Sequence, residues 1–78
     1  MSKQMPVDLN ETDLAILEEL SEGRGTPSYL EKQTGFTRQA IQGRLTVLRA
    51  ADYVKKIDTG LYEITEEGRS AFDTNTEG

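Results

Sequence analysis

The 78-residue chain has no cysteine and no histidine. Without cysteine there is neither a disulfide nor a thiolate metal site to support a small fold, which fits a reducing compartment. Without histidine the commonest general base and the commonest zinc ligand are missing, which weighs against an enzyme and against a zinc centre. No apolar run approaches the roughly 20 residues of a membrane span, and the opening MSKQMPVDLN has no apolar signal-peptide core. These absences point to a soluble cytoplasmic domain with no cofactor, no metal and no membrane partner. A chain this short makes one domain and buries only about 60% of its unfolded surface.

What the chain does have is charge, unevenly spread. The net charge is −5, yet residues 24–56 hold seven positive side chains (Arg24, Lys32, Arg38, Arg44, Arg49, Lys55 and Lys56) against Glu31 and Asp52, a local +5. The flanks carry Lys3 and Arg69 against twelve carboxylates, a net −10. A local positive field decides whether a phosphate backbone is attracted. Segregation by chance is the bland alternative.

The periodicity predicts a first helix over residues 11–22, capped by Asn10, with Asp13 favouring the positive helix end. Leu9 and Leu14 sit at staple positions, and Leu14, Leu17 and Leu20 form an apolar stripe with Ile16 beside it. A second, short helix starts at Thr26-Pro27-Ser28 with Pro27 at its first position and closes at Gly35, which suits a left-handed cap. The third helix, 37–51, has Thr37 as cap, Phe36 and Ile41 as staple, and Ile41, Leu45 and Leu48 on one buried face. The period then changes. Residues 53–57 and 61–64 read as strands around a three-residue loop, Asp58-Thr59-Gly60. A last short helix runs from Thr65 to about Phe72. The expected organisation is a flexible segment over 1–9, one domain over 10–72 and a flexible tail over 73–78.

Two helices joined through a glycine turn form a helix-turn-helix, and a hairpin directly after the second makes it winged. The expected class is therefore mainly α with a small β-hairpin: a three-helix core, a wing and a short C-terminal helix. With its buried face subtracted, the third helix presents Arg38, Gln39, Gln42 and Gly43, then Thr46 and Arg49. Arginine can fork onto guanine and glutamine onto adenine in the major groove. No acid occurs from Arg38 to Ala51, whereas solvated surfaces usually mix both signs. Gly43 either lets the helix approach a duplex closely, packs against a neighbour, or is incidental. Arg44 and Arg49 are expected at phosphates, as is one of Lys55 and Lys56, because neighbouring strand residues face opposite sides. Ser28 and Tyr29 can donate to phosphate at a helix start; Tyr29 serves equally as a surface aromatic. The wing tip, Asp58-Thr59, is not basic, so a short wing contact is expected.

The run TPSYLEKQTGFTRQAIQGRLTVLRAADYVKKIDTGLYEITEEGR resembles the winged helix-turn-helix regulators of bacteria and archaea, in the MarR, PadR and ArsR neighbourhood, and most of all small haloarchaeal phage-repressor-like domains. The resemblance covers about residues 11–69 and implies sequence-directed DNA binding, usually by a homodimer on a palindrome and usually to repress transcription. By position, it makes Thr37, Arg38, Gln39, Gln42, Gly43 and Thr46 the base readers. Two residues depart from the pattern. Glu31 replaces a small residue under the recognition helix and is expected to pair with Arg24 or Arg44. Asp52 replaces a glycine and tolerates the left-handed backbone better than most residues. The acid-rich flanks suit concentrated salt.

A docking module without DNA binding is the competing reading, since fold does not fix function. Enzyme chemistry is disfavoured because Glu18-Glu19 and Glu66-Glu67 are adjacent on helices and splay apart. No small-molecule effector is expected. A homodimer would use the first helix and the last segment, with Ala71 and Phe72.

Overall fold

The computed structural model describes residues 9–77. The segment expected to be flexible, 1–9, lies outside them except for Leu9, as does Gly78 at the other end. Helix α1 (Glu11–Glu22) begins with a reciprocal capping box. The Asn10 side chain accepts from the Asp13 amide at 2.8 Å, and Asp13 Oδ2 accepts from the Asn10 amide at 2.9 Å. Together these satisfy two of the orphan donors at the helix start. The buried face is Asp13, Ile16, Leu17 and Leu20, while Leu14 is only half-buried. The stripe is thus rotated from the expected one. Its spacing is i, i+3, i+4, i+7, and it admits a carboxylate whose charge is met from another helix.

Helix α2 (Pro27–Thr34) is capped by Thr26, whose hydroxyl accepts from the Tyr29 amide. It ends at Gly35 with φ +85°, a left-handed residue as expected. Three residues later α3 (Arg38–Ala50) starts, capped by Thr37 through the Ala40 amide at 3.1 Å. Its far end closes with two bonds. The Asp52 amide donates to Arg49 O, and the Tyr53 amide donates to Leu48 O, each at 2.9 Å. This is a Schellman closure with Asp52 at φ +71° in the position glycine usually takes. It turns the chain sharply into the hairpin.

Strands β1 (Val54–Asp58) and β2 (Leu61–Ile64) pair antiparallel, Val54 opposite Ile64 and Lys56 opposite Tyr62. Asp58 pairs with Leu61, so the connection is Thr59-Gly60 and not three residues. A bulge between Lys56 and Asp58 absorbs the extra residue. Gly25 adds a third rung on the other side of β2: its amide and carbonyl bond Tyr62 at 3.0 and 2.8 Å. That bridge ties the α1–α2 turn to the wing.

Helix α4 runs from Glu66 to Glu77, past Phe72 and through most of the expected tail. Once nucleated, a helix gains one bond per residue fixed, and nothing from Arg69 to Glu77 is glycine or proline. The Thr65 hydroxyl accepts from the Gly68 amide and donates to the Asp52 carbonyl. A Cβ at Gly68 would lie 2.0 Å from the Tyr53 carbonyl oxygen, so only glycine lets α4 start against the Schellman turn.

The core joins α1 (Ile16, Leu17, Leu20), α2 (Leu30), α3 (Ile41, Leu45, Leu48) and the hairpin (Val54, Tyr62, Ile64), with Leu9, Phe36, Tyr53 and Phe72 packed at its margin. Truncating any of the buried leucines to alanine costs about 2–5 kcal/mol. Helix α3 packs against α1, α2 and β1, which holds its remaining face outward.

Candidate nucleic-acid interface

The outward side of α3 carries Arg38, Gln39, Gln42, Gly43, Thr46 and Arg49, all exposed. The steps from 38 to 42, 46 and 49 are four, four and three residues, so these four share one stripe. Thr37, also exposed, uses its hydroxyl oxygen as the helix cap and retains its O–H as a donor. The Thr46 hydroxyl donates to Gln42 O at 3.1 Å. Gly43 faces open space: a Cβ there meets nothing within 4 Å. Close packing therefore does not explain this glycine.

Arg44 is not a free cation, contrary to its expected place at phosphate. It turns inward and forks onto Asp13, Nε to Oδ1 at 2.6 Å and Nη2 to Oδ2 at 2.8 Å. Asp13 is fully buried, and the Arg44 side chain is 29% exposed. The hydrogen bond to Asp13 holds the Arg44 guanidinium above the ordinary arginine range, against the opposite pull of burial. The pair pins the start of α1 to the middle of α3 and so fixes which side of α3 faces out. Its sequence signal was the buried-face spacing 13, 16, 17, 20, which puts a carboxylate among apolar residues. A buried carboxylate needs a partner, and Arg44 sits three residues after Ile41 and four before Leu48.

Glu31 pairs with neither Arg24 nor Arg44. Its Oε1 accepts from Arg38 Nε at 2.9 Å, because the helix-turn-helix places the middle of α2 beside the start of α3. Arg38 Nη2 also donates to the Ser28 hydroxyl at 3.4 Å. Arg24 meets Glu63 on β2 instead, at 3.5 Å. The stretch that is free of acid in sequence therefore has Glu31 beside it in space. Tyr29 is 43% exposed at the head of α2.

Arg49, Lys55 and Lys56 are exposed and have no ion-pair partner among the described residues. Both lysines reach solvent although they alternate along β1, Lys56 doing so from the rung it shares with the buried Tyr62. With Thr46, Ala50, Asp52 and Val54 these three cations line an open groove between α3 and the wing. Apart from Arg44, which faces Asp13, the expected residues form two end groups: Ser28, Tyr29, Thr37 and Arg38 at the start of α3, and Arg49, Lys55 and Lys56 at the other end. Gln39, Gln42, Gly43 and Thr46 lie between them.

No protein-family model matches the chain, and no curated protein matches it. Among solved structures, the fold is similar to the crystal structure of the transcriptional regulator BldR from Sulfolobus solfataricus, with a TM-score of 0.83 and 29% sequence identity over 88% of this chain. The chain spans about half, 54%, of that protein's length. With its three-helix core, its hairpin after the third helix and its closing fourth helix, the chain has the winged helix-turn-helix fold.

Proposed function

We propose that the chain is a sequence-directed double-stranded DNA-binding transcriptional regulator that sets α3 in the major groove and the wing beside the backbone. The observation that carries this is the outward face of α3, which presents two forking residue types and no acid along its length. From Arg38 to Thr46 the helix rises about 12 Å, matching a major groove about 12 Å wide. Gln39 and Gln42 then face base edges, with Arg38, Thr37 and Thr46 beside them. Gly43 allows the close approach. Arg49, Lys55 and Lys56 hold one phosphate strand, and Ser28 and Tyr29 hold the other. The likeness to a solved transcriptional regulator supports this reading.

The finer reading is a repressor of the MarR, PadR and ArsR neighbourhood, working as a homodimer through α1 and α4 in the cytoplasm of a salt-adapted archaeon. It has no catalytic role and no small-molecule effector. A labelled mixed-sequence duplex titrated with protein tests the DNA contact by fluorescence anisotropy. Three phosphate contacts per chain give a slope of log Kobs against log salt of about −3 per protomer. A folded protein that leaves the anisotropy unchanged at about 50 mM salt rejects the reading and favours the docking module.

A further inference from the structure

We infer that Glu31 is a positioning residue for base reading: it grips the side edge of Arg38 and aims the end edge of that guanidinium at a guanine. The inference rests on α3 being the base reader proposed above. The five N–H groups of arginine lie in one plane. Nε–H and one N–H of Nη2 share the edge turned away from the side-chain stem. The Nε contact, to Glu31 at 2.9 Å, falls on that edge, and Nη2, which has one N–H on each edge, meets Ser28 at the longer distance of 3.4 Å. On the end edge, formed by Nη1 and the second N–H of Nη2, Nη1 has no partner among the described residues. Two parallel donors are what O6 and N7 of guanine accept. Arg38 also stands at the first position of α3, in the N-terminal part of the helix that reaches base edges in this motif.

A carboxylate beside a DNA-binding surface has a second effect, repulsion of phosphate. The two effects have opposite signatures. Losing the charge raises affinity for every duplex alike, whereas losing the grip lowers discrimination between duplexes. The pair is exposed, 53% at Arg38 and 40% at Glu31, so the grip is a bias on the arginine rotamer and not a lock. Pairs of this kind hold about 0.2–1 kcal/mol, which corresponds to at most about fivefold.

The test starts by selecting a preferred duplex from a random pool with the wild-type protein, then replacing each of its guanines in turn. Dissociation constants are measured for wild type, Glu31→Gln, Arg38→Ala and the double variant, with circular dichroism as the check on folding. One guanine is expected to matter to wild type and not to Arg38→Ala. Glu31→Gln reduces the preference for that guanine about twofold to fivefold, binds the mismatched duplex as well as wild type or better, and changes no preference in the Arg38→Ala background. If Glu31→Gln tightens matched and mismatched duplexes by one common factor, Glu31 is only an electrostatic brake and the inference is overturned. It is equally overturned if no guanine depends on Arg38. A wild type that enriches no sequence removes base reading by α3 itself, and the inference with it.

Discussion

Replacing Arg44 with methionine separates a structural cation from a DNA-binding one. The substitution keeps much of the side-chain volume and removes both bonds to Asp13. The Asp13 carboxylate, fully buried, then retains the Asn10 amide at 2.9 Å as its partner. Removing one member of a buried pair costs about 3–5 kcal/mol. Because the Arg44 side chain is 29% exposed, water reaches part of the vacated space, and the cost falls at the low end, about 3 kcal/mol. A domain of this size holds roughly 4–12 kcal/mol in total. Each kcal/mol shifts Tm by about 4–8 °C, so Tm falls by about 12–24 °C. Circular dichroism melts measure this directly. Adding Asp13→Leu removes the stranded charge, and the double variant melts above Arg44→Met alone. The Arg44 shift is upward, so its contribution is fully present below the ordinary arginine range and is lost only as pH rises through a still higher value. The gap between wild type and Arg44→Met therefore stays flat from neutral pH to about pH 10. A Tm loss under about 4 °C, or a double variant that melts below the single one, refutes the assignment of Arg44 as the anchor of α3.

Gly68→Ala places a methyl 2.0 Å from the Tyr53 carbonyl oxygen; urea denaturation should show a loss at or above the upper end of about 1–3 kcal/mol. Gly43→Ala meets nothing within 4 Å and should stabilise the domain by about 0.5–1 kcal/mol while weakening duplex binding; unchanged binding removes the close-approach role of Gly43. Arg49→Ala, Lys55→Ala and Lys56→Ala should leave Tm within the span of ordinary surface changes, about 0.5 kcal/mol, and each should flatten the salt slope by about 1, because one phosphate is no longer neutralised. If the acid-rich flanks are an adaptation to concentrated salt, Tm rises as KCl approaches molar levels; a flat or falling Tm ends that reading.

The features legible in the sequence were those whose causes are local. The Asn10 and Thr37 caps, the left-handed Gly35, the buried face of α3 and the two strands all follow from residues within a few positions of one another, while the left-handed Asp52 came from the family resemblance. What escaped depends on contacts between distant segments. Arg44 and Asp13 are 31 positions apart, and no local rule tells which of several arginines turns inward. Glu31 found Arg38, seven residues on, because the turn between two helices brings them side by side. The Gly25–Tyr62 bridge and the close approach at Gly68 are backbone contacts that side-chain patterns do not signal. The length of α4 was missed because its polar end has no apolar periodicity. Of the twelve residues expected at DNA, the exposed face of α3 was read from periodicity alone, and Arg44 was misplaced because its charge was counted without its burial.

The central claim is that the outward face of α3 and the wing cations contact a duplex. The most direct measurement is amide shift mapping of ¹⁵N-labelled protein with a mixed-sequence duplex at two salt concentrations. The account predicts shifts concentrated at Thr37 to Arg49 and at Lys55 and Lys56, shrinking at the higher salt, with Asp13 and the outer face of α1 little changed. A folded protein with no shifts, or with shifts scattered over acidic and basic faces alike, contradicts it.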